Sequence, residues 1–267
     1  MDKCKLFTPK VEISRALYLT LSVFSFVALL AIWSALTYSD LISPLFLPTP
    51  GKVVNDGFLL FTQFNLLDDV MASVWRVTAG FVLAAIIGVP IGILMGSLKI
   101  CEAAVEPVLS FIRYMPASAF IPLFILWLGI GESEKIAVIF FGTFFPLALM
   151  IMDVTKNVPT DLIDTAYTLG VSRQGVFRRI ILPASMPGIV DTLRITFGWA
   201  WTYLVVAEIV AAGSGLGYMI MQSQRFLKTG NIIVGIIVIG VIGIAIDLLF
   251  KWIYHRMFPW LGKGGGR

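Results

Sequence analysis

Four ionisable side chains in this sequence lie within or beside long apolar stretches, where a charge is costly to hold. They are Arg113, Arg194, Glu208 and Asp247. Such residues usually face a partner charge or a water-filled cavity, and a carboxylate there can also carry protons. Trp199 and Trp201 lie in the same apolar stretch as Glu208. We name four residues as candidates to line a path through the membrane: Arg113, Trp199, Trp201 and Glu208. The alternative role for these residues is packing or contact with the membrane surface.

Catalytic and metal-binding residue types are scarce in the chain. Two cysteines, Cys4 and Cys101, and one histidine, His255, are too few for a disulfide framework or a structural zinc site. A P-loop needs Gly, four residues, then Gly-Lys and Ser or Thr, whereas Gly262-Lys263 is followed by another glycine. The basic residues form no nucleic-acid-binding stripe. We therefore expect no catalytic residue, no metal and no cofactor bound by this chain, and no enzyme activity of its own.

The composition is typical of a membrane protein. Of the 267 residues, 58% are hydrophobic and 13% are charged, with a mean hydropathy of +0.91, whereas a soluble domain carries about 25% charged residues. A membrane-spanning helix needs roughly 20 apolar residues. The sequence predicts an all-α polytopic membrane protein, a single domain over 1–267 with six spans: 16–38, 74–96, 105–128, 136–152, 189–212 and 232–253.

Lysines and arginines between the predicted spans indicate the orientation. If the N-terminus is cytoplasmic, most of these residues fall on the cytoplasmic side of the membrane. The few outside are Lys52, Arg76, Lys135, Arg225 and Lys228. Cytoplasmic loops normally carry the excess of Lys and Arg, so we expect both termini in the cytoplasm.

The segment between the first two spans combines a helix breaker with an amphipathic stretch. Leu47 to Gly51 holds two prolines, and we expect no helix there. The stretch from Lys52 to Phe64 that follows predicts a short helix at the membrane interface.

The second span carries a stripe of small residues at every fourth position: Gly80, Ala84, Gly88, Gly92 and Gly96. Small side chains on one helix face let two backbones approach closely in lipid. We favour packing against another helix of the same chain over a subunit interface.

The connector 157–183 predicts two short helices that meet at a glycine. Thr160 is a candidate cap for the first helix, and Ser172 for the second. Gly170 allows a sharp turn because it can adopt a positive φ. The first helix has an apolar face made by Leu162, Ala166 and Leu169. A compact knob of this kind suits insertion into a groove on a partner protein.

Asp164-Thr165-Ala166, Gly170 and Ile181-Leu182-Pro183 follow one another at a spacing that resembles the EAA loop of ABC importer permeases. The resemblance implies a coupling helix that docks on an ATPase. We expect coupling to depend on Asp164, Thr165, Ala166, Gly170, Ser172, Arg178, Arg179, Leu182 and Pro183. A literal Glu102-Ala103-Ala104 lacks the glycine, and we interpret it as a short turn before the third span.

Segments 42–50, 122–132, 207–212 and 215–217 extend the resemblance to the nitrate, sulfonate, taurine and bicarbonate branch of these permeases. The branch implies a type I importer fold in a bacterial inner membrane and a small oxyanion or zwitterion as substrate. It also implies a second permease subunit, forming a homodimer, two ATPase subunits that hold ATP and Mg, and an extracytoplasmic binding protein.

Two other classes compete with this interpretation. An ion-coupled secondary transporter could use Glu208 and Asp247 as proton sites, but such proteins usually contain inverted repeats, and we find none. A structural membrane protein would leave the connector 157–183 unexplained.

Overall fold

The computed structural model describes residues 14–39 and 41–261, and within this part the chain is all helix and loop, without a strand. Both chain ends, which we expect to lie in the cytoplasm, fall outside the described residues. The helices are α1 (Arg15–Tyr38), α2 (Pro50–Gln63), α3 (Leu66–Ser97), α4 (Lys99–Arg113), α5 (Ile121–Leu128), α6 (Glu132–Lys156), α7 (Thr160–Thr168), α8 (Arg173–Val176), α9 (Leu182–Ala211), α10 (Leu216–Arg225) and α11 (Thr229–Met257).

The fold is that of a polytopic membrane protein, as predicted. Five helical stretches are long and apolar enough to cross a membrane, and a bent pair of helices makes up to six. The bent pair corrects the prediction of a continuous span over 105–128, because Lys99–Arg113 and Ala117–Leu128 meet at 85°. Pro116 lies at this break, where it lacks an N–H and disfavours helical backbone in the residue before it.

Helices α3 and α6 form the closest pair, and the stripe of small residues makes this possible. A Cβ built on Gly92 would lie 2.6 Å from the carbonyl oxygen of Ala148, and one on Gly96 would lie 2.5 Å from Cβ of Thr155. Gly80 meets Ile139 in the same way. The partners on α6 advance along the chain in the same direction as the glycines on α3, so the two helices run parallel. The stripe therefore packs within the chain, as we favoured.

The second half of the connector belongs to a long helix and not to a separate short one, which corrects the predicted knob. Arg173–Val210 is one stretch of 38 residues. A π-helical segment, Phe177–Ile181, joins α8 to α9 without a break. Leu182 and Pro183 lie where this segment passes into α9, and Pro183 has no N–H to donate to the preceding turn.

Helix α2 begins two residues earlier than predicted and packs on the chain itself. Pro50 occupies its first turn, and the Oγ1 atom of Thr49 accepts a hydrogen bond from the Lys52 N–H at 3.3 Å. The expectation that Leu47 to Gly51 excludes a helix is therefore wrong at Pro50, since proline fits the first turn. Val53 and Leu60 are buried, so part of the amphipathic face is covered by protein.

Candidate functional site

The structure has two chemically different ends. We call the end that carries α7 and α8 the loop end. We call the opposite end, where α3 and α6 begin and α9 finishes, the far end.

At the loop end, α7 finishes in a Schellman motif centred on Gly170. Gly170 has φ +80°, and its N–H donates to the Tyr167 carbonyl at 2.9 Å. The Val171 N–H donates to the Ala166 carbonyl at 3.0 Å. Both bonds satisfy carbonyls that a helix end would otherwise leave free. The predicted sharp turn is present, and the left-handed conformation explains why glycine stands there.

The side chains of the predicted apolar face of α7 differ in burial. Ala166 is 3% exposed and attaches the helix to the body of the chain. Leu162 and Leu169 are 48% and 78% exposed, and Tyr167 also faces outward. Leu162 and Leu169 share one side of α7 and form an uncovered apolar tip, and Tyr167 is exposed on the other side of the helix.

The other predicted coupling residues lie around this tip. Asp164 and Thr165 are exposed along a shallow hollow on α7. The Oγ atom of Ser172 accepts from the Gly175 N–H at 3.3 Å, so Ser172 caps α8 as expected. The first helix is capped by Pro159, not by Thr160, and no side-chain hydrogen bond forms there. Exposed or half-buried positions on the following helix are occupied by Arg178, Arg179, Leu182 and Pro183.

The segment Glu102-Ala103-Ala104 lies inside α4, so the prediction of a short turn there is wrong. Its carboxylate accepts from Lys99 at 3.1 Å and lies 2.7 Å from Nζ of Lys156 at the end of α6. This ion pair ties α4 to α6 at the loop end.

At the far end, Arg76 is the centre of a buried ionic network. Its guanidinium is 2% exposed and lies 2.7 Å from Glu208, a carboxylate with no exposed surface. It also donates to both carboxylate oxygens of Glu132, at 2.7 and 2.6 Å, and to the Ser214 carbonyl at 2.7 Å. Charges removed from water are tolerated when they are paired and fully hydrogen-bonded, as here.

The carboxylate of Glu208 receives further donors. The hydroxyl of Ser73 lies 2.8 Å from one of its oxygens, and the N–H of Gly217 donates to the other at 2.7 Å. A neighbouring carboxylate, Asp69, accepts from the N–H of Gly215 at 2.6 Å. The network thereby fastens α3, α6, α9 and the loop before α10 to one another. Glu208 has no exposed surface in this structure, and its pathway role stays a prediction.

Between the two ends, two of the predicted pathway residues meet at a cavity of about 120 Å³. Arg113 lies at the break between α4 and α5, and Trp199 comes from α9. Tyr203, which the sequence analysis missed, lines the same cavity. Its ring lies against α6 at Gly142, where a Cβ would approach it to 2.6 Å.

Trp201 does not share this cavity. It is 4% exposed and belongs to the apolar core with Leu204 and Phe197, so its pathway role stays a prediction. Trp199 is 44% exposed on the other side of the helix. Residues two positions apart on an α-helix point in nearly opposite directions.

Arg194 and Asp247, the other two ionisable residues that the sequence analysis named, pair where α9 meets α11. Arg194 lies 3.2 Å from Asp247, and Lys251 lies 2.7 Å from the same carboxylate. Asp247 and Lys251 form the predicted pair one turn apart on α11. Both carboxylates of the secondary-transporter alternative, Glu208 and Asp247, are thus neutralised by cations in this structure.

Sequence reasoning missed Arg76 because it was counted only as an outer topology charge. The available signal was its position inside α3, which required a partner of opposite charge. Glu132 was missed because it begins α6, where an acidic residue is ordinary.

Comparison with known proteins gives one consistent result. Residues 88–263 match the family described as binding-protein-dependent transport system inner membrane component. The taurine transport system permease protein TauC of Escherichia coli is 35% identical over 91% of this chain and 90% of its own length. The aliphatic sulfonates permease SsuC of Bacillus subtilis is 34% identical over 87% and 84%. The bicarbonate permease CmpB of Synechocystis is 29% identical over 89% and 88%.

Solved structures agree on the fold. A chain of the inward-facing MetNI methionine ABC transporter superposes with a TM-score of 0.66 at 20% identity, covering 73% of this chain and 96% of that chain. Family membership sets aside both competing classes and confirms the resemblance found in the sequence. This chain belongs to the binding-protein-dependent transport system inner membrane components, and it is a multi-pass permease subunit of an ABC importer.

Proposed function

We propose that this permease carries a small oxyanion or zwitterion, such as a sulfonate, taurine, nitrate or bicarbonate, from an extracytoplasmic binding protein into the cytoplasm. The support comes from the relatives, which are named for taurine, aliphatic sulfonates and bicarbonate. All three are small and carry an anionic group. The loop end then faces the cytoplasm, in a bacterial inner membrane, with both termini on that side.

The observation that carries the proposed mechanism is the uncovered tip of α7. Leu162, Tyr167 and Leu169 expose apolar surface at the end of a helix fixed by Ala166 and by the turn at Gly170. Exposed apolar clusters of this kind mark protein–protein contacts. In our proposal this tip docks on an ATP-binding subunit, and Asp164, Thr165, Arg178 and Arg179 form the polar rim of the contact.

The continuous helix gives a physical route for the motion. Arg173–Val210 is 38 residues long, about 57 Å at 1.5 Å per residue. It begins beside the tip and ends at the Arg76–Glu208 network. A displacement at the loop end therefore reaches the far end through one rigid element. Two permease copies, driven by two ATPases that hold ATP and Mg, would alternate between two states biased by nucleotide.

The test is reconstitution in liposomes with a candidate ATPase and binding protein. We expect labelled taurine or ethanesulfonate to accumulate only when ATP, both partners and the permease are present. The isolated permease should bind no nucleotide. Stoichiometric nucleotide binding by the isolated chain, or uptake that proceeds without the ATPase, would contradict the proposal.

The proposed orientation has its own test in sealed cells. A cysteine placed at Lys52 or Lys228 should react with an impermeant thiol reagent added outside, because both residues lie at the far end near α2 and α11. A cysteine at Arg173, at the loop end, should react only after the membrane is opened. Labelling of the Arg173 variant in sealed cells would reverse the orientation.

A further inference from the structure

Arg113 differs from Arg76, Arg194 and Lys251 because no carboxylate among the described residues neutralises it. Arg76, Arg194 and Lys251 each lie within 3.2 Å of a carboxylate oxygen. Among the described residues, no carboxylate lies within 4 Å of Arg113. Its contact is with Tyr114, whose hydroxyl is 3.3 Å away and whose ring centre is 5.1 Å from the guanidinium carbon. A phenol does not neutralise the charge, so the guanidinium remains available to an anion.

The depth of the cavity argues against contact between Arg113 and the membrane surface. Its wall includes Phe141, Gly142, Phe145 and Pro146, which surround the middle of α6. At 1.5 Å per residue, the middle of this helix is about 18 Å from either end. An arginine side chain is much shorter than that distance. A charge at this depth normally faces a ligand path or a partner.

The remaining walls of the cavity are aromatic and uncharged. Phe141 packs against Phe120 at 4.3 Å between ring centres and against Phe145 at 4.8 Å. Trp199 and Tyr203, whose side chains each carry one neutral donor, also line the cavity. None of the described residues that line it is acidic. The chemistry is therefore one guanidinium, two neutral donors and an apolar wall.

We infer that this cavity holds the permeating substrate midway through the membrane, with Arg113 binding its anionic group. The inference rests on the proposed function and narrows the substrate class to a small organic anion bearing a sulfonate or carboxylate. The guanidinium fork matches two oxygens of such a group. The aromatic wall accepts the alkyl part. Because no carboxylate from the described part of the chain lines the cavity, the ammonium group of taurine has no opposite charge to pair with there. Ethanesulfonate should therefore pass at least as well as taurine.

The test compares Arg113→Gln and Arg113→Lys in the reconstituted importer, with labelled ethanesulfonate and taurine as probes. The matched control is Arg256→Gln, which removes an exposed arginine at the end of α11, away from the cavity. Hydrogen bonds to a charged group contribute about 1.5–3 kcal/mol, which corresponds to about 10- to 100-fold. We expect Arg113→Gln to lower the maximal uptake rate at least tenfold. The half-saturating concentration should change little, since the binding protein sets it.

Three further readouts separate binding from structure. Arg113→Gln should keep the melting temperature and the recovery of the complex of the unmodified protein. Arg113→Lys, which keeps the charge, should retain more uptake than Arg113→Gln.

The contrary outcomes are distinct. Uptake by Arg113→Gln within twofold of the unmodified importer would overturn the inference and leave the proposed function intact. A lysine variant no better than the glutamine variant, or a fall in melting temperature that matches the loss of uptake, would also overturn it. If the unmodified importer moves neither probe, the proposed function fails, and the inference fails with it.

Discussion

The two ends of the molecule differ in their main feature: one has buried charges, and the other has exposed apolar side chains. At the far end, Arg76 and Glu208 are buried, and each has several hydrogen-bond partners from the same chain. At the loop end, Leu162, Tyr167 and Leu169 are left uncovered. One end satisfies its buried charges within the subunit, and the other leaves apolar side chains of α7 exposed. In our proposal, an ATP-binding subunit covers these side chains, whereas the far-end network needs no partner charge.

The largest effect should come from removing one partner of the far-end network. Arg76→Ala leaves Glu208 with no cation in a site that has no exposed surface. Breaking a buried ion pair in this way typically costs about 3–5 kcal/mol. We expect little folded protein in the membrane and a clear drop in melting temperature in detergent. Arg76→Met combined with Glu208→Met should recover much of the loss, because neither buried charge then remains. Equal stability of the single variant and the unmodified protein would show that the network is not structural.

A smaller effect should come from one methyl group at the same end. A Cβ on Gly217 would lie 2.7 Å from Cβ of Glu208 and 2.9 Å from the Val205 carbonyl oxygen. Overpacking of this kind costs about 1–3 kcal/mol. Gly240→Ala is the matched control, because a Cβ there meets nothing within 4 Å. We expect Gly217→Ala to lower the melting temperature and the control to leave it unchanged or slightly raised. The reverse order would mean that the far end has room to adjust.

The smallest effect should come from the ion pair at the loop end. Glu102 and Lys156 are 21% and 32% exposed, so water screens their attraction. Pairs of this kind contribute about 0–1 kcal/mol. We expect Glu102→Gln to change the melting temperature little and to preserve recovery of the subunit in the membrane. A loss as large as that of Arg76→Ala would remove the contrast between the two ends.

Local rules predicted much of the fold from the sequence. The length of the apolar stretches predicted the helices. The stripe of small residues predicted close packing of α3, which the contact of Gly92 with Ala148 confirms. The turn at Gly170 was predicted because glycine can adopt a positive φ. The break at Pro116 was missed, because a count of apolar residues ignores how proline changes the backbone.

The sites were harder to predict because they depend on contacts between distant parts of the chain. Arg76 and Glu208 are 132 residues apart in sequence, and no spacing rule joins them. Trp199 and Trp201 could have been separated, since helical geometry puts them on opposite faces. The exposure of Leu169 was not predictable from its periodicity, because periodicity cannot distinguish a face covered by the same chain from one reserved for a partner.

The most direct test of the account compares two glycines that have a positive φ at opposite ends. Gly170 and Gly129 have φ +80° and +77°, and a Cβ on either meets nothing within 4 Å. A side chain costs about 1 kcal/mol or more at such a position. Gly129 also has ψ 175°, a backbone region that is essentially restricted to glycine, so Gly129→Val should destabilise the chain at least as much as Gly170→Val and is the stricter control. The measurement is the amount of substrate transported per ATP hydrolysed in the reconstituted importer. We predict that Gly170→Val weakens ATPase retention or uncouples hydrolysis from uptake, whereas Gly129→Val keeps the ratio of the unmodified importer. Normal retention and an unchanged ratio in Gly170→Val would contradict the assignment of the loop end as the site where the ATPase acts.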